Sequence, residues 1–299
     1  MARSLLLLCL PCLLTGCIKS MAVNALGDAL AQGGGTYARD DDPELVRDAT
    51  AFGLKTMESL LDAQPDHLGL HLAAARGFTQ YAYAFLSSEA DYLEASDYPR
   101  AAELRKRARK LFVRARRYGL EGLSLLAENF EARLKTNPAA VLAEIDEEGV
   151  GLLYWTAASW AAAVGLDKDD ATLAAGLDLV ELLIKRAIVL DPNYEAGGLH
   201  DFLVAWDAGR PAGGGGSVVR ARQHMADSLA ASKGLRMAPL VTFAEQGTTK
   251  LKDPKEFESL LQRALTFDVD SAPQYRLANL IAQKRARWLL SIKDDLFLE

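Results

Sequence analysis

The stretch 177-LDLVELLIKRAIVLDPNY-194 decides the fold of this chain. Val180, Ala187 and Leu190 lie at positions i, i+7 and i+10, which is one face of an α-helix. The small Ala187 lets a neighbouring helix approach closely, and the larger residues fill the space around it. Asp191-Pro192 ends the helix, because proline cannot continue it. The stretch therefore predicts a helix with one buried face, followed by a turn into another helix.

The same spacing returns twice further along the chain. At offsets of 39 and then 38 residues, the matching residues are Val219, Ala226 and Leu229, and then Phe257, Ala264 and Phe267. The segment Leu190-Asp191-Pro192-Asn193-Tyr194 resembles the end of a tetratricopeptide repeat, where proline starts the turn to the next hairpin. We predict an all-α fold, an array of helical hairpins with degenerate tetratricopeptide-like repeats. A non-repeating helical bundle is the alternative.

Three helix starts are marked by an N-capping residue followed by proline. They are Asp42-Pro43, Asn137-Pro138 and Asp253-Pro254. The first helix carries apolar residues near one face and should end before Pro65; these residues are Leu45, Ala49, Phe52 and Leu60. About eleven helices with short turns are expected, the others at 66–90, 104–118, 121–134, 138–164, 170–190, 194–208, 217–232, 236–247, 254–267 and 273–291.

The N-terminus resembles a bacterial lipoprotein signal. Arg3 supplies a positive charge, residues 4–10 form a short apolar segment, and Leu14-Thr15-Gly16-Cys17 is similar to a lipobox. We therefore predict a lipoprotein signal peptide at 1–16, a lipidated tether at 17–42 and a helical repeat domain at 43–299, with Cys17 as the lipidation site. An ordinary signal peptide with a stray cysteine is the alternative. Cys17 is the last of three cysteines, so no disulfide is expected within the mature chain.

Composition limits the possible functions. Half of the 299 residues are hydrophobic and the net charge is −6, which argues against a general affinity for nucleic acid. No stretch of about 20 apolar residues is evident beyond the N-terminus, so no membrane-spanning helix is expected. The glycine run at 213–216 lacks the lysine of a phosphate-binding loop, and His67 and His71 lack the glutamate of a zinc protease motif. We predict no catalytic residue, no cofactor and no metal centre, and hence no enzyme.

One helix carries large aromatic residues among alanine, leucine and glycine. Trp155 and Trp160 are five residues apart and point about 140° from each other, so one can pack in the core while the other lines a groove. Core packing is the alternative for each residue. The candidates for binding a ligand or partner are Tyr154, Trp155, Trp160, His200, Phe202 and Trp206.

A second candidate surface is basic. Residues 100–117 contain nine basic residues and one acid, and the apolar stripe of the same helix should face the core. The basic side chains are then either a solvated helix face or a contact for anionic lipid or an acidic partner.

The chain is similar to the T-component family of tripartite ATP-independent periplasmic (TRAP) transporters, a tetratricopeptide-type subunit. The resemblance covers most of the mature chain and rests on several motifs: residues 152–155 with 157–160, Ala187 with 190–194, 199–200 with 202–203, 209–211, 276–279, 282–283 with 285–290, and 294–299.

The resemblance implies a lipoprotein that faces the periplasm and associates with the periplasmic solute-binding protein of a TRAP transporter. It also implies a helical cleft or pore for a hydrophobic small ligand, and a homo-oligomer, with a trimer as the suggested form. Ile18 after the lipidated cysteine favours the outer membrane over the inner one. A general envelope scaffold for protein–protein contacts is the second hypothesis, and a helical envelope hydrolase with an unrecognised site is the third.

Overall fold

A computed structural model describes residues 34–297, and these residues contain helices and turns without a β-strand. The predicted all-α class is therefore confirmed. The proposed signal peptide and Cys17 lie outside the described residues. The end of the predicted tether is ordered, since a short helix at Gly34–Ala38 packs on a helix near the C-terminus. Arg276 Nη1 donates to the Arg39 carbonyl oxygen at 2.9 Å beside it.

The α-helices follow one another through short turns. They are α1 Gly34–Ala38, α2 Pro43–Ala63, α3 Leu68–Tyr81, α4 Ser88–Leu93, α5 Tyr98–Leu126, α6 Phe130–Thr136, α7 Pro138–Ala143, α8 Val150–Leu166, α9 Ala171–Ala174, α10 Leu177–Leu190, α11 Gly198–Gly209, α12 Val218–Ala231, α13 Ala238–Phe243, α14 Thr249–Leu251, α15 Pro254–Leu265, α16 Arg276–Ser291 and α17 Lys293–Leu296. Two π-helical segments, Ala82–Ser87 and Ala244–Thr248, join α3 to α4 and α13 to α14.

The three predicted helix starts are confirmed, because Pro43, Pro138 and Pro254 are each the first residue of a helix. Asp42 Oδ1 accepts the backbone N–H groups of Glu44 and Leu45, both at 3.0 Å. These bonds satisfy donors that have no partner within the helix.

The buried face of α2 differs from the predicted one. Val46, Leu54 and Leu61 are buried, whereas Leu45 is 59% exposed and Phe52 78% exposed. Both sets follow a helical period, so the sequence supports either face. Packing of α2 against α3 selects the face that contains Leu54. The other face, apart from Leu60, which packs against the core, remains an apolar stripe on the surface.

Four helices, α3, α5, α8 and α10, form the centre of the first half. Glycine permits a close contact between two of them: a Cβ placed at Gly119 on α5 would lie 2.0 Å from Thr156 Oγ1 on α8. The same packing keeps α5 continuous through residue 120, where the sequence predicted a break. The predicted helix at 138–164 is instead divided into α7, a 3₁₀ turn at Glu147–Gly149 and α8.

The segment Glu147–Leu166 has the length and the mean hydropathy, 1.3, of a membrane-spanning helix, contrary to the expectation that no such stretch exists. However, 72% of it is buried within the protein. A helix that is apolar all round needs such an environment, and here the surrounding helices provide it. The segment is the central helix of the core.

A second core cluster lies in the C-terminal half, among α11, α12, α13, α15 and α16. The repeat register predicted for α12 is wrong there. Val219 is 82% exposed and Ala226 is also exposed, while Ala221, Met225 and Ser228 face the core. In α10 and α15 the predicted Val180, Ala187, Phe257 and Ala264 are buried as expected.

Candidate functional site

A cavity of about 830 Å³ lies between the two halves of the molecule. One wall comes from α2, α3 and the first π-helical segment, and the opposite wall from α13, the second π-helical segment and α16. Most of the lining is aliphatic or aromatic, including Leu54, Met57, Phe85, Val241 and Ile281. A volume in this range, with few polar groups, is typical of small-molecule sites in proteins.

Irregular backbone borders the cavity at three places. The π-helical segment 82–87 contributes Tyr83 to the lining, and the segment 244–248 contributes Glu245. The third place is the turn before α11, where Glu195 (φ 47°) and Ala196 (φ 51°) are left-handed without being glycine. Short π-helical segments and left-handed non-glycine residues are both uncommon and frequent at functional sites. Their occurrence around one cavity marks it as the candidate functional site.

At one end of the cavity, Arg285 binds two carboxylates that are distant in sequence. Its Nη1 lies 2.9 Å from Asp91 Oδ2, and its Nε and Nη2 donate to the carboxylate of Glu245. Tyr83 lies beside this group and is 54% exposed, and its position in the lining shows that the exposure is to the cavity. The loss of bulk water around the phenol in the cavity wall and the charge of Glu245 raise the pKa of Tyr83 to about 12, so the phenol stays protonated.

At another place on the wall, Arg236 fixes the left-handed turn. Its Nη1 donates to the Glu195 carbonyl oxygen and its Nη2 to the Asp201 carboxylate. Arg76 Nη1 lies 3.9 Å from Glu195 Oε1. Burial raises the pKa of Glu195, although the two arginines oppose this effect. The turn is therefore held from both walls of the cavity.

Residues 39–297 match the family described as TRAP transporter T-component. The chain belongs to this family. It is also 30% identical, over 270 residues, to a protein of Treponema pallidum (strain Nichols) described as uncharacterized, covering 88% of this chain and 83% of that protein. The resemblance noted in the sequence is thus confirmed, and it implies a role in a TRAP transport system. The family is that of a transporter accessory component, in keeping with the prediction that the chain is not an enzyme.

None of the six predicted binding residues lines the cavity of this T-component, and all six lie within the part of the chain that the structure describes. Tyr154, Trp155, Trp160 and Trp206 are between 2% and 8% exposed, and His200 and Phe202 are half-buried. Trp160 Nε1 donates to the Leu173 carbonyl oxygen at 2.9 Å. The rings of Phe202 and Trp206 stack with their centroids 5.5 Å apart. Trp155 and Trp160 therefore both pack in the core.

The aromatic cluster nevertheless lies directly behind the cavity wall. Tyr154 contacts Trp155, with ring centroids 4.6 Å apart, and also Tyr194, at 5.8 Å. Tyr194 immediately precedes Glu195, which lines the cavity. The cluster thus supports the left-handed turn from the side that faces the core.

Sequence reasoning missed the lining residues. A weak signal exists in 81-YAYAF-85, where aromatic residues alternate: in a regular α-helix Tyr81 and Phe85 share one face, and Tyr83 points away from it. The π-helical segment there turns Tyr81, Tyr83 and Phe85 toward the same cavity.

The basic stretch on α5 is largely neutralised by neighbouring carboxylates. Six of its nine basic residues form ion pairs within the described chain: Arg100, Arg105, Arg109, Arg114, Arg116 and Arg117. The guanidinium of Arg116 also stacks 3.9 Å above the Trp160 ring. These contacts favour the solvated, structural interpretation of the stretch over a lipid contact.

Proposed function

We propose that this T-component is a lipid-anchored accessory protein that binds the periplasmic solute-binding protein of its TRAP system and accommodates a hydrophobic small molecule in its cavity. The observation that supports this most is the apolar cavity of about 830 Å³ between the two halves. A general envelope scaffold remains the alternative, and such a scaffold does not need a preformed apolar cavity.

The charges on the cavity wall favour an uncharged ligand. Each of the three arginines in the described lining is paired with a carboxylate: Arg76 with Glu195, Arg236 with Asp201, and Arg285 with Asp91 and Glu245. A charged ligand would have to compete with these pairs and lose its hydration, which is costly in an apolar cavity. A ligand with a large apolar surface gains roughly 25 cal/mol per Å² buried without that cost.

The exposed stripe of α2 is a suitable surface for the solute-binding protein. It consists of Leu45 and Phe52, which are exposed, and the half-buried Ala49 between them at helical spacing. Leu54 and Met57, on other sides of the same helix, line the cavity. A partner bound to this stripe would therefore contact a helix that forms the cavity wall.

The remaining features of the proposal come from the family resemblance and the N-terminal sequence. We propose that lipid on Cys17 anchors the protein in the envelope with its helical domain facing the periplasm, on the outer membrane rather than the inner one. Multiple acyl chains provide the strength of such an anchor. We also propose that the protein forms a homo-oligomer, a trimer by the same resemblance, and that its hairpins are degenerate tetratricopeptide-like repeats.

Filling the cavity tests the ligand proposal. A Cβ at Gly53 on α2 would meet only the Tyr37 hydroxyl, at 3.9 Å, so Gly53→Leu places an isobutyl group in the cavity without a backbone clash. We expect this change to weaken binding of an uncharged apolar fluorophore such as N-phenyl-1-naphthylamine by about tenfold or more, because each methylene-sized contact that the new side chain displaces is worth roughly 0.8 kcal/mol. Fluorescence titration of the purified protein measures the affinity.

Gly165→Leu is the matched control. No described side chain lies within 4 Å of a Cβ at Gly165, which is exposed on α8 away from the cavity. This variant should bind the fluorophore like the wild type. Unchanged affinity in Gly53→Leu, or no binding by the wild type, would contradict the proposal.

A further inference from the structure

Two histidines and an aspartate from neighbouring helices converge on one point outside the cavity. His200 lies on α11, and His224 and Asp227 lie three residues apart on α12. One nitrogen of each histidine and one carboxylate oxygen of Asp227 all lie within 4.8 Å of one another. The three residues are half-buried. Imidazole nitrogens with a carboxylate form a donor set suited to transition metals such as zinc.

Close backbone contact brings these side chains together. At the start of α11, a Cβ on Gly197 would lie only 2.9 Å from the Cα of Ser228 on α12. The side chain of Ser228 donates to the carboxylate of Asp201, which follows His200. The two helices are therefore held together at Ser228, one turn beyond His224.

The distance between the histidines fits a shared ligand. Their Nδ1 atoms are 3.1 Å apart, and the rings stack with centroids 5.3 Å apart. Two nitrogens bound to one tetrahedral zinc at its usual bond length are about 3.3 Å apart. A hydrogen bond between two neutral imidazoles also gives such a distance, and titration with a metal ion distinguishes the two arrangements.

The surrounding groups orient the donors as metal sites require. His224 Nε2 faces Asp207 Oδ2 at 3.7 Å, which favours the proton on Nε2 and leaves the lone pair on Nδ1. Asp207 is 3% exposed and is itself held by Arg220, at 2.8 and 3.1 Å. Gln223 Nε2 donates to Asp227 Oδ1 at 2.9 Å. A carboxylate on the outer nitrogen of a ligating histidine is the usual second partner in zinc sites.

We propose that His200, His224 and Asp227 form a binding site for a divalent transition metal ion, Zn²⁺ in particular, with water completing the coordination. The ion would join α11 to α12 next to the turn that borders the cavity. The site goes beyond the proposed transport function, and it departs from the sequence analysis, which predicted no metal centre.

Calorimetric titration of the purified full chain with Zn²⁺ tests the proposal. We expect one Zn²⁺ per chain, with Co²⁺ producing visible absorption bands at the same stoichiometry. His200→Gln, His224→Gln and Asp227→Asn should each weaken Zn²⁺ binding by at least about 100-fold, since loss even of an outer-shell partner costs 10- to 100-fold. His67→Gln is the control, because it removes a histidine from the start of α3 and should leave the affinity unchanged.

Thermal unfolding separates loss of the site from loss of the fold. Zn²⁺ should raise the unfolding temperature of the wild type and of His67→Gln, but not that of Asp227→Asn, a variant that preserves side-chain shape. Absence of Zn²⁺ binding by the wild type would overturn the proposal, as would wild-type affinity in His224→Gln or Asp227→Asn.

Discussion

At the level of single residues, Gly119 sets the distance between α5 and α8. An added Cβ would lie 2.0 Å from Thr156 Oγ1 and 3.3 Å from the Thr156 Cα, and Thr156 is fully buried. Because backbone as well as side chain obstructs the new methyl group, the helices must separate to admit it. We expect Gly119→Ala to lower the free energy of unfolding by about 1–3 kcal/mol, as overpacking of a dense core does. Urea denaturation followed by circular dichroism measures this change.

Gly165→Ala serves as the comparison for that substitution, because it makes the same chemical change within α8. A Cβ there meets no described atom within 4 Å. Alanine has the higher helix propensity, so this variant should equal the wild type or gain up to about 1 kcal/mol. Equal stability of Gly119→Ala and Gly165→Ala would show that α5 and α8 leave room for a methyl group at residue 119.

The sequence shows which side chains have a large apolar surface, but it does not show where in the fold they lie. Trp155 and Trp160 stand out in an alanine-rich helix, and the sequence left open whether each packs or lines a groove. Their large apolar area is best satisfied by full burial, as observed. The residues that do line the cavity, such as Tyr83 and Glu195, depend on a π-helical segment and on left-handed backbone, and residue spacing encodes neither.

At the level of elements, Glu58 joins α2 to α5. Tyr118 Oη donates to Glu58 Oε1 at 2.8 Å, Arg114 Nη1 lies 3.4 Å away, and Lys55 also donates. Burial raises the pKa of Glu58, but these three partners outweigh it and hold the pKa below the ordinary value of 4.5. The carboxylate therefore adds stability above about pH 4.5, and this stability is lost as the pH falls through the lower folded-state pKa.

Glu58→Gln should accordingly destabilise the protein by roughly 1–2 kcal/mol at neutral pH, since a hydrogen-bonded charge is replaced by an amide. The difference from the wild type should narrow as the pH falls below 4.5, because the wild-type carboxyl then becomes neutral too. Urea denaturation at a series of pH values gives both results. Glu144→Gln removes an exposed carboxylate paired with Arg133 and should change stability little. A difference in the free energy of unfolding that did not change with pH would show that the ionisation of Glu58 does not stabilise the fold.

Element boundaries were predictable where they depend on local chemistry. Asp42-Pro43 and Asp253-Pro254 start helices because the cap and the proline act on their own turn. The side of a helix that becomes buried was less predictable. Val219 has the spacing of a buried residue but is 82% exposed, because contacts of α12 with α11 and α13 select Ala221 and Met225 instead.

At the level of the whole molecule, the cavity results from pairing between segments far apart in sequence. Arg285 connects α16 to Asp91 and to Glu245, so that a single side chain joins both halves. The all-α class follows from helical periodicity and was predictable, whereas the space between two assembled halves has no local pattern. The family similarity, which spans residues 39–297, implies a role in a TRAP transport system, which residue spacing does not indicate.

The surface of the assembled molecule supplies the last prediction, which concerns the solute-binding protein. Phe52 is 78% exposed in the apolar stripe on α2, and aromatic residues are enriched at protein–protein interfaces. Phe52→Asp should weaken binding to the solute-binding protein of the same transport system by about 2 kcal/mol or more, roughly thirtyfold in Kd. The free energy of unfolding should change by no more than about 0.5 kcal/mol, because an exposed side chain makes few contacts in the folded protein.

Val219→Asp is the matched control for this effect, since Val219 is an apolar residue of similar exposure, 82%, on the distant helix α12. Surface plasmon resonance with the immobilised solute-binding protein compares the two variants with the wild type. A loss of affinity in Phe52→Asp alone would place the solute-binding protein on α2, the helix that also forms part of the cavity wall. Partner binding and ligand entry would then both involve α2. Equal losses in both variants would indicate a general effect of added charge, and wild-type affinity in Phe52→Asp would exclude this face as the docking surface.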